Sequence, residues 1–225
     1  ADVPQLTEDD CRMYGIMLGD GYISGTSAGV RLSTITKVRV ADFVRSYLSG
    51  RGIHVTEAVD ADSPNSVKLV WSSTHLGFKF TRAQLYNEKV KQVDPAFLHL
   101  PKPKIVKVLQ GLIETDGCVG EKEITVEVTS DSIIEAIRYM LLRLGGLSSG
   151  YSRNRVGSVS SYKNITTRLP TSVIRIPRIP EILDLFEKAP ASRCFTFMRY
   201  GNNLLTRIEK IDETFYDGIV HDFEI

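Results

Sequence analysis

The 225-residue sequence contains no run of about 18 apolar residues, the length a membrane-spanning helix needs, and no cationic leader before an apolar stretch. The expectation is a soluble, intracellular protein. Cysteine is scarce: Cys11, Cys118 and Cys194 lie far apart with no CxxC or Cys/His ligand spacing. That argues against a disulfide framework or a structural zinc site and fits a reducing compartment. The four histidines, His54, His75, His99 and His221, form neither an HxxxH pair nor a nucleophile constellation, and no GxxxxGKS/T phosphate loop occurs. Net charge is also nearly missing, at +1, which taken alone argues against a polyanionic partner.

The distribution of charge reads differently. Ser148 to Pro180 carries Arg153, Arg155, Lys163, Arg168, Arg175 and Arg178 with no acid, a local charge of +6, and Tyr22 to Val55 carries +4. Leu205 to Ile225 carries −4, so an acidic tail masks a basic body. Such segregation suits an anionic partner such as nucleic acid, and equally a solvated basic face with no partner.

The chain reads as two similar halves. In the first, Thr7 and Asp10 form a capping box for a helix through Leu18, which stops at Asp20-Gly21. Short strand-like runs follow around Tyr22 and over Val30 to Ile35, then a helix Val38 to Leu48, strands His54 to Ala58 and Val67 to Trp71, and a helix Thr74 to Tyr86. In the second, Pro103 opens a helix through Glu114 that stops at Asp116-Gly117. The spacing then predicts a strand Ile124 to Val128, a helix Ile133 to Leu144, strands near Val159 to Tyr162 and over Val173 to Ile176, and a helix Pro180 to Glu187. Residues 1–94 and 105–192 are therefore read as two repeats. Residues 95–104, with three prolines, form a stiff linker, and 193–225 a C-terminal extension.

Two nonapeptides anchor the repeat: "MYGIMLGDG", Met13 to Gly21, and "LQGLIETDG", Leu109 to Gly117. On a helix, Gly15 and Gly19 share a face, as do Gly111 and Thr115. Small residues there allow two backbones to approach closely, which would bring the helix C-termini, and with them Asp20 and Asp116, side by side. One Asp-Gly alone is a turn after a helix. Two carboxylates brought together at the negative ends of two helix dipoles repel each other and call for a cation. With the main-chain carbonyls of Gly19 and Thr115 they form an all-oxygen set suited to Mg²⁺ and to metal-assisted phosphodiester hydrolysis.

The paired nonapeptides resemble the signature of the LAGLIDADG homing endonucleases, in the single-chain, two-repeat form, over Thr7 to about Lys188. "LQGLIETDG" is a close match; "MYGIMLGDG" departs at Leu18, where many members have an acid. The resemblance implies an α+β fold of two pseudo-symmetric αββαββα repeats, with paired signature helices at the interface and two antiparallel sheets forming a saddle over DNA. It implies a monomer that cuts both strands of a long duplex, with no membrane partner. Asp20, Asp116 and the carbonyls of Gly19 and Thr115 would hold Mg²⁺, or Mn²⁺ in its place. An RNA-binding maturase or a non-cutting DNA-binding regulator is the alternative.

The family often adds a basic residue from a later strand near each phosphate. Lys68, in "SVKLVWSS", is the first-half candidate. For the second half the motif offset carries position 68 to Asn164, beside Lys163, whereas Arg175 in "SVIRIP" matches the Lys68 strand in local text, so Lys163 and Arg175 compete. Arg31, Ser33 and Thr34 on the first copy and Thr125 and Glu127 on the second have the spacing of DNA-reading strand residues. Arg153, Arg155, Tyr162, Lys163 and Arg168 extend that basic run. The tail, Thr206 to Ile225, resembles the C-terminal splicing block of an intein. Without a terminal His-Asn, and with Ala1 in place of a Cys or Ser nucleophile, it suggests the endonuclease portion of an intein, with a free-standing enzyme carrying an extra C-terminal strand as the alternative.

Overall fold

A computed structural model describes residues 2–60, 63–121, 123–159, 166–186, 197–208 and 210–219. The first half is built from α1 (Glu8–Leu18), β1 (Gly21–Ser24), β2 (Ser27–Ser33), α2 (Val38–Ser49), β3 (Thr56–Asp60), β4 (Ser63–Ser72) and α3 (Arg82–Leu85). A small ribbon, β5 (Tyr86–Asn87) and β6 (Val90–Lys91), and a short helix, α4 (Pro95–Leu98), lead to the second half. There α5 (Lys102–Asp116), β7 (Gly117–Val119), β8 (Ile124–Val128), α6 (Asp131–Arg143), β9 (Ser149–Arg153), β10 (Thr171–Ile176) and α7 (Pro180–Leu183) repeat the order. A hairpin of β11 (Phe197–Tyr200) and β12 (Asn203–Thr206) follows. The two four-stranded antiparallel sheets have matching orders, β1-β2-β4-β3 and β7-β8-β10-β9.

Strand alternation explains how each sheet is used. In the first, Ala28, Val30, Leu32, Val67, Leu69 and Trp71 are buried against the helices. Arg31 and Lys68, paired across β2 and β4, share the opposite, open face. In the second, Ile124, Val126, Ile174 and Ile176 are buried, and Thr125, paired with Arg175, is on the open face. Helices α1 and α5 cross at the centre of the core and are apolar on most sides, as a helix with no solvent face must be.

The crossing is set by glycine. A Cβ on Gly15 would lie 2.1 Å from the Val108 carbonyl oxygen and 2.9 Å from the Leu112 nitrogen. One on Gly111 would lie 2.1 Å from the Arg12 oxygen and 2.8 Å from the Ile16 nitrogen. The two backbones therefore touch where any larger residue would separate them. Arg12 clasps Glu114 across the crossing through two hydrogen bonds of 2.9 Å. At its N-terminus, α1 has the capping box: Thr7 N–H donates to Asp10 Oδ2 at 2.7 Å, and Asp10 N–H donates to Thr7 Oγ1 at 3.2 Å.

Within the helix expected over Pro180 to Glu187, only Pro180–Leu183 is helical among the described residues, and two further elements differ from the sequence expectation. Within Thr74 to Tyr86 only Arg82–Leu85 is helical. The preceding residues form a loop because Phe78 and Phe80 pack edge-on to each other and reach Trp71 and Tyr14, a demand on aromatic geometry that one helical stripe does not meet. On the side away from β8, the partner of β10 is β9, Ser149–Arg153, where no strand was expected. Val159 makes an isolated bridge to Thr166, and residues 160–165 are outside the described residues. Strand β9 has no buried residue, so it lacks the alternation that marks a half-buried strand. The proline-rich connection is packed into the core: Phe97 stacks on Tyr14 with centroids 3.6 Å apart, and Leu100 is fully buried.

Candidate metal and phosphodiester site

The close crossing delivers the ends of α1 and α5 to one place. Gly19 follows α1, its N–H donating to the Gly15 carbonyl at 3.2 Å, and Asp20 stands between it and β1. On the other side Asp116 is the last residue of α5. A Cβ on Gly19 would lie 3.3 Å from Asp116 Cγ, so the two helix ends are in contact. Burial, then the negative charge of Asp20, push the Asp116 carboxyl up to about 6, against the opposing pull of Lys91 and Lys37.

Both main-chain carbonyls of the expected oxygen set face a cation. Lys37, at the N-cap of α2, donates from Nζ to Asp20 Oδ2 at 2.5 Å and to the Thr115 carbonyl at 2.6 Å. Lys91 donates to the Gly19 carbonyl and, at 3.3 Å, to that of Met17. Burial lowers the Lys91 pKa, while Asp116 and Asp20 oppose the shift. The Thr115 hydroxyl is turned back onto its own helix, donating to the Gly111 and Leu112 carbonyls at 3.0 Å. Only its main-chain oxygen is offered to the site.

The oxygen set fits a hard divalent cation: two carboxylates, of which Asp116 is protonated more readily than usual because it is buried and faces the charge of Asp20, and two carbonyls that already attract ammonium groups. Among the described residues no group of three or more His, Cys, Asp or Glu converges. An ion here would depend on the two aspartates and main-chain oxygen.

Lys37 and Lys91 were not among the sequence candidates. Lys37 belongs to a helix cap and Lys91 to a two-residue strand, and neither has a periodic pattern to mark it. The available signal was chemical: two half-buried acids brought together need nearby cations. Lys68 lies on the open sheet face, its Nζ 5.5 Å from the Tyr22 ring centroid, and among the described residues neither aspartate is hydrogen-bonded to it. Arg175 is paired with Glu123 at 2.8 Å and lies 5.1 Å from the Tyr151 ring. Lys163 and Tyr162 lie outside the described residues.

The remaining sequence candidates divide by occupation. Arg31 and Thr34 are exposed. The Ser33 hydroxyl accepts from the Ile35 and Thr36 N–H groups and so is part of a turn. Glu127 accepts from Arg153 and from the Thr171 hydroxyl, each at 2.6 Å, which ties β8, β9 and β10 together on the face that Thr125 shares. Arg155 and Arg168 are exposed beyond β9.

Residues 103–174 match the model of the LAGLIDADG-like domain. Among solved structures, mesophilic variants of the homing endonuclease I-DmoI are similar at 12% identity, over 83% of this chain and 97% of that one, with a TM-score of 0.53. I-DmoI in complex with DNA and Ca is similar at 13% identity over 78% and 85% of the two chains, with a TM-score of 0.51. No curated protein matches the sequence. Residues 103–174 thus match a LAGLIDADG-like domain, and over 83% of its length the chain shares the fold of I-DmoI.

Proposed function

We propose that this protein is a homing endonuclease that hydrolyses phosphodiester bonds in both strands of a long duplex DNA target, using Mg²⁺ or, in its place, Mn²⁺. The observation that carries this reading is the meeting of Asp20 and Asp116 at the ends of two helices whose glycines allow contact. The similarity in fold to I-DmoI, a homing endonuclease whose structures include complexes with DNA and Ca or Mn, supports it.

Asp20, Asp116 and the carbonyls of Gly19 and Thr115 would hold the metal. When bound, the ion supplies an acidified water and polarises a phosphoryl oxygen. Lys37 and Lys91 rest on the oxygens that would hold the ion, so a bound ion would compete with these ammonium groups for them. Released, each lysine can bind a phosphate oxygen and stabilise the charge that develops there. The open faces of the two sheets, with Arg31 and Lys68 on one and Thr125, Glu127, Arg153 and Arg175 on the other, would contact the duplex. Arg and Lys there can bind phosphate or guanine, and Glu127 can accept from cytosine.

Cleavage of a randomised duplex library with and without Mg²⁺ tests the reading. Wild type is expected to cut only with metal, and Asp116→Asn to lose at least about 100-fold in rate. Indistinguishable behaviour of the two proteins would remove the nuclease assignment. The tail's resemblance to an intein splicing block supports an intein origin, tested by whether flanking sequence supplies a Cys or Ser nucleophile and a terminal His-Asn.

A further inference from the structure

Lys91 reaches the site from a slender support. It ends β6, a two-residue strand whose partner β5 is equally short, and this ribbon joins neither four-stranded sheet. Its turn contains Glu88, with a φ of 54°. A two-stranded ribbon of this size has no stability of its own, so the position of Lys91 depends on its braces.

One brace belongs to the first half. Arg82 donates to the Ile23 carbonyl at 2.7 Å and to the Glu88 carbonyl at 2.9 Å, and it lies 4.4 Å over the Tyr86 ring. Next to Lys91, the Gln92 N–H also donates within the first half, to the Leu85 carbonyl at 2.9 Å; a further brace comes from the second half. Ser130, 5% exposed, donates its hydroxyl proton to the Lys91 carbonyl at 2.6 Å. Ser130 Oγ in turn accepts from the Ile133 N–H at 3.4 Å as the N-cap of α6. Capping requires only an acceptor, so the proton given to Lys91 serves a second purpose.

We propose that Ser130 is a positioning residue for Lys91: the α6 cap of the second half fixes the main chain of the first-half lysine, so that Lys91 is held at the Gly19 carbonyl only when the two halves are docked. Its consequence for catalysis rests on the nuclease reading. The bracing itself does not.

Hydrogen exchange followed by mass spectrometry on the full chain without metal provides the first test. Ser130→Ala is expected to speed exchange over residues 86–92 about tenfold, the change one lost buried hydrogen bond allows, together with that of the first turn of α6. Ser130→Thr, which keeps both donor and acceptor, is expected to stay within about twofold of wild type in both places. If Ser130→Ala loosens only α6, the residue is a cap and the proposal fails.

In Mg²⁺-dependent cleavage, Ser130→Ala is expected to lower kcat about tenfold with KM for the duplex nearly unchanged, and Ser130→Thr to restore kcat. In a Lys91→Met background the same substitution is expected to add nothing to the loss of kcat. An equal further loss there would show action through another group and overturn the proposal. If wild type cuts no duplex while the exchange pattern is as expected, the nuclease reading falls and the bracing role stands.

Discussion

Replacing Gly111 by Ala tests whether the helix crossing sets both stability and the site. The new methyl group would lie 2.1 Å from the Arg12 carbonyl oxygen and 2.8 Å from the Ile16 nitrogen. Both are backbone atoms inside a helix and cannot rotate away, so α1 and α5 must separate by roughly 1 Å to reach ordinary contact distance. Overpacking of this kind costs about 1–3 kcal/mol, and rigid neighbours place it at the upper end. Against this, exchanging glycine for alanine in a helix interior gains about 1 kcal/mol. The net loss of about 2 kcal/mol corresponds to a fall in Tm of roughly 4–8 °C for a chain of this length. The functional loss should be larger, because a displacement of roughly 1 Å at Asp116 relative to Asp20 costs about 100-fold in rate. Gly15→Ala should behave alike, and the double variant should lose less than the sum, since the first methyl group already opens the space for the second. Calorimetry without metal reads the stability, and Mg²⁺-dependent cleavage reads the site. A Gly111→Ala protein that melts at or above the wild-type temperature would show that helix propensity outweighs the contact, and that the crossing distance is set elsewhere.

Two further expectations concern pH. Burial works to raise the Asp10 pKa, but hydrogen bonds from the Thr7 N–H, Lys79, Tyr47 and the Thr7 hydroxyl outweigh it and hold the carboxyl at about 2. Because the folded value is depressed, its stabilisation is present above the ordinary carboxylate range and is lost as pH falls through about 2. Thermal melts should show wild type losing about 2 kcal/mol between pH 5 and pH 2 that Asp10→Asn does not lose, and parallel curves would refute this. Asp116 has the opposite sign: its folded value is raised to about 6, so its ionisation weakens the metal-free fold as pH rises from the ordinary carboxylate range through that value. Asp116→Asn should therefore melt higher than metal-free wild type at pH 8, by an amount of about 2 kcal/mol, and lose that advantage at pH 4. An equal difference at both pH values would place its origin in packing.

The parts of the fold that could be read in advance are those with a strong local period or a special residue. The α1 and α5 helices, their close contact and the doubling of the elements follow from Gly15, Gly111 and the repeated Asp-Gly. Strand β9 was not legible because none of its residues is buried. The loop at Phe78 and Phe80 was misread because its apolar residues serve aromatic packing with Trp71 and Tyr14 rather than one helix face. At the site, Asp20 and Asp116 stood out because a carboxylate at a helix C-terminus conflicts with the local field. Lys37 carries the mirror conflict, a cation at the positive N-terminal end of α2, and that signal was passed over; Lys91 carries none, since a lysine in a short ribbon is ordinary until tertiary structure brings it to a carbonyl.

The contacts at the crossing have the form of a twofold interface. Gly15 touches the backbone of Val108 and Leu112, and Gly111 touches that of Arg12 and Ile16, which is the same set of contacts read from the opposite side. In a homodimer such an isologous patch would oblige each change in one subunit to appear in the other. A single chain is free of that obligation. At the matching caps of α2 and α6 it has Lys37, which reaches Asp20, and Ser130, which reaches the main chain of Lys91. Covalent linkage thus lets a symmetric frame contain two unlike chemical environments.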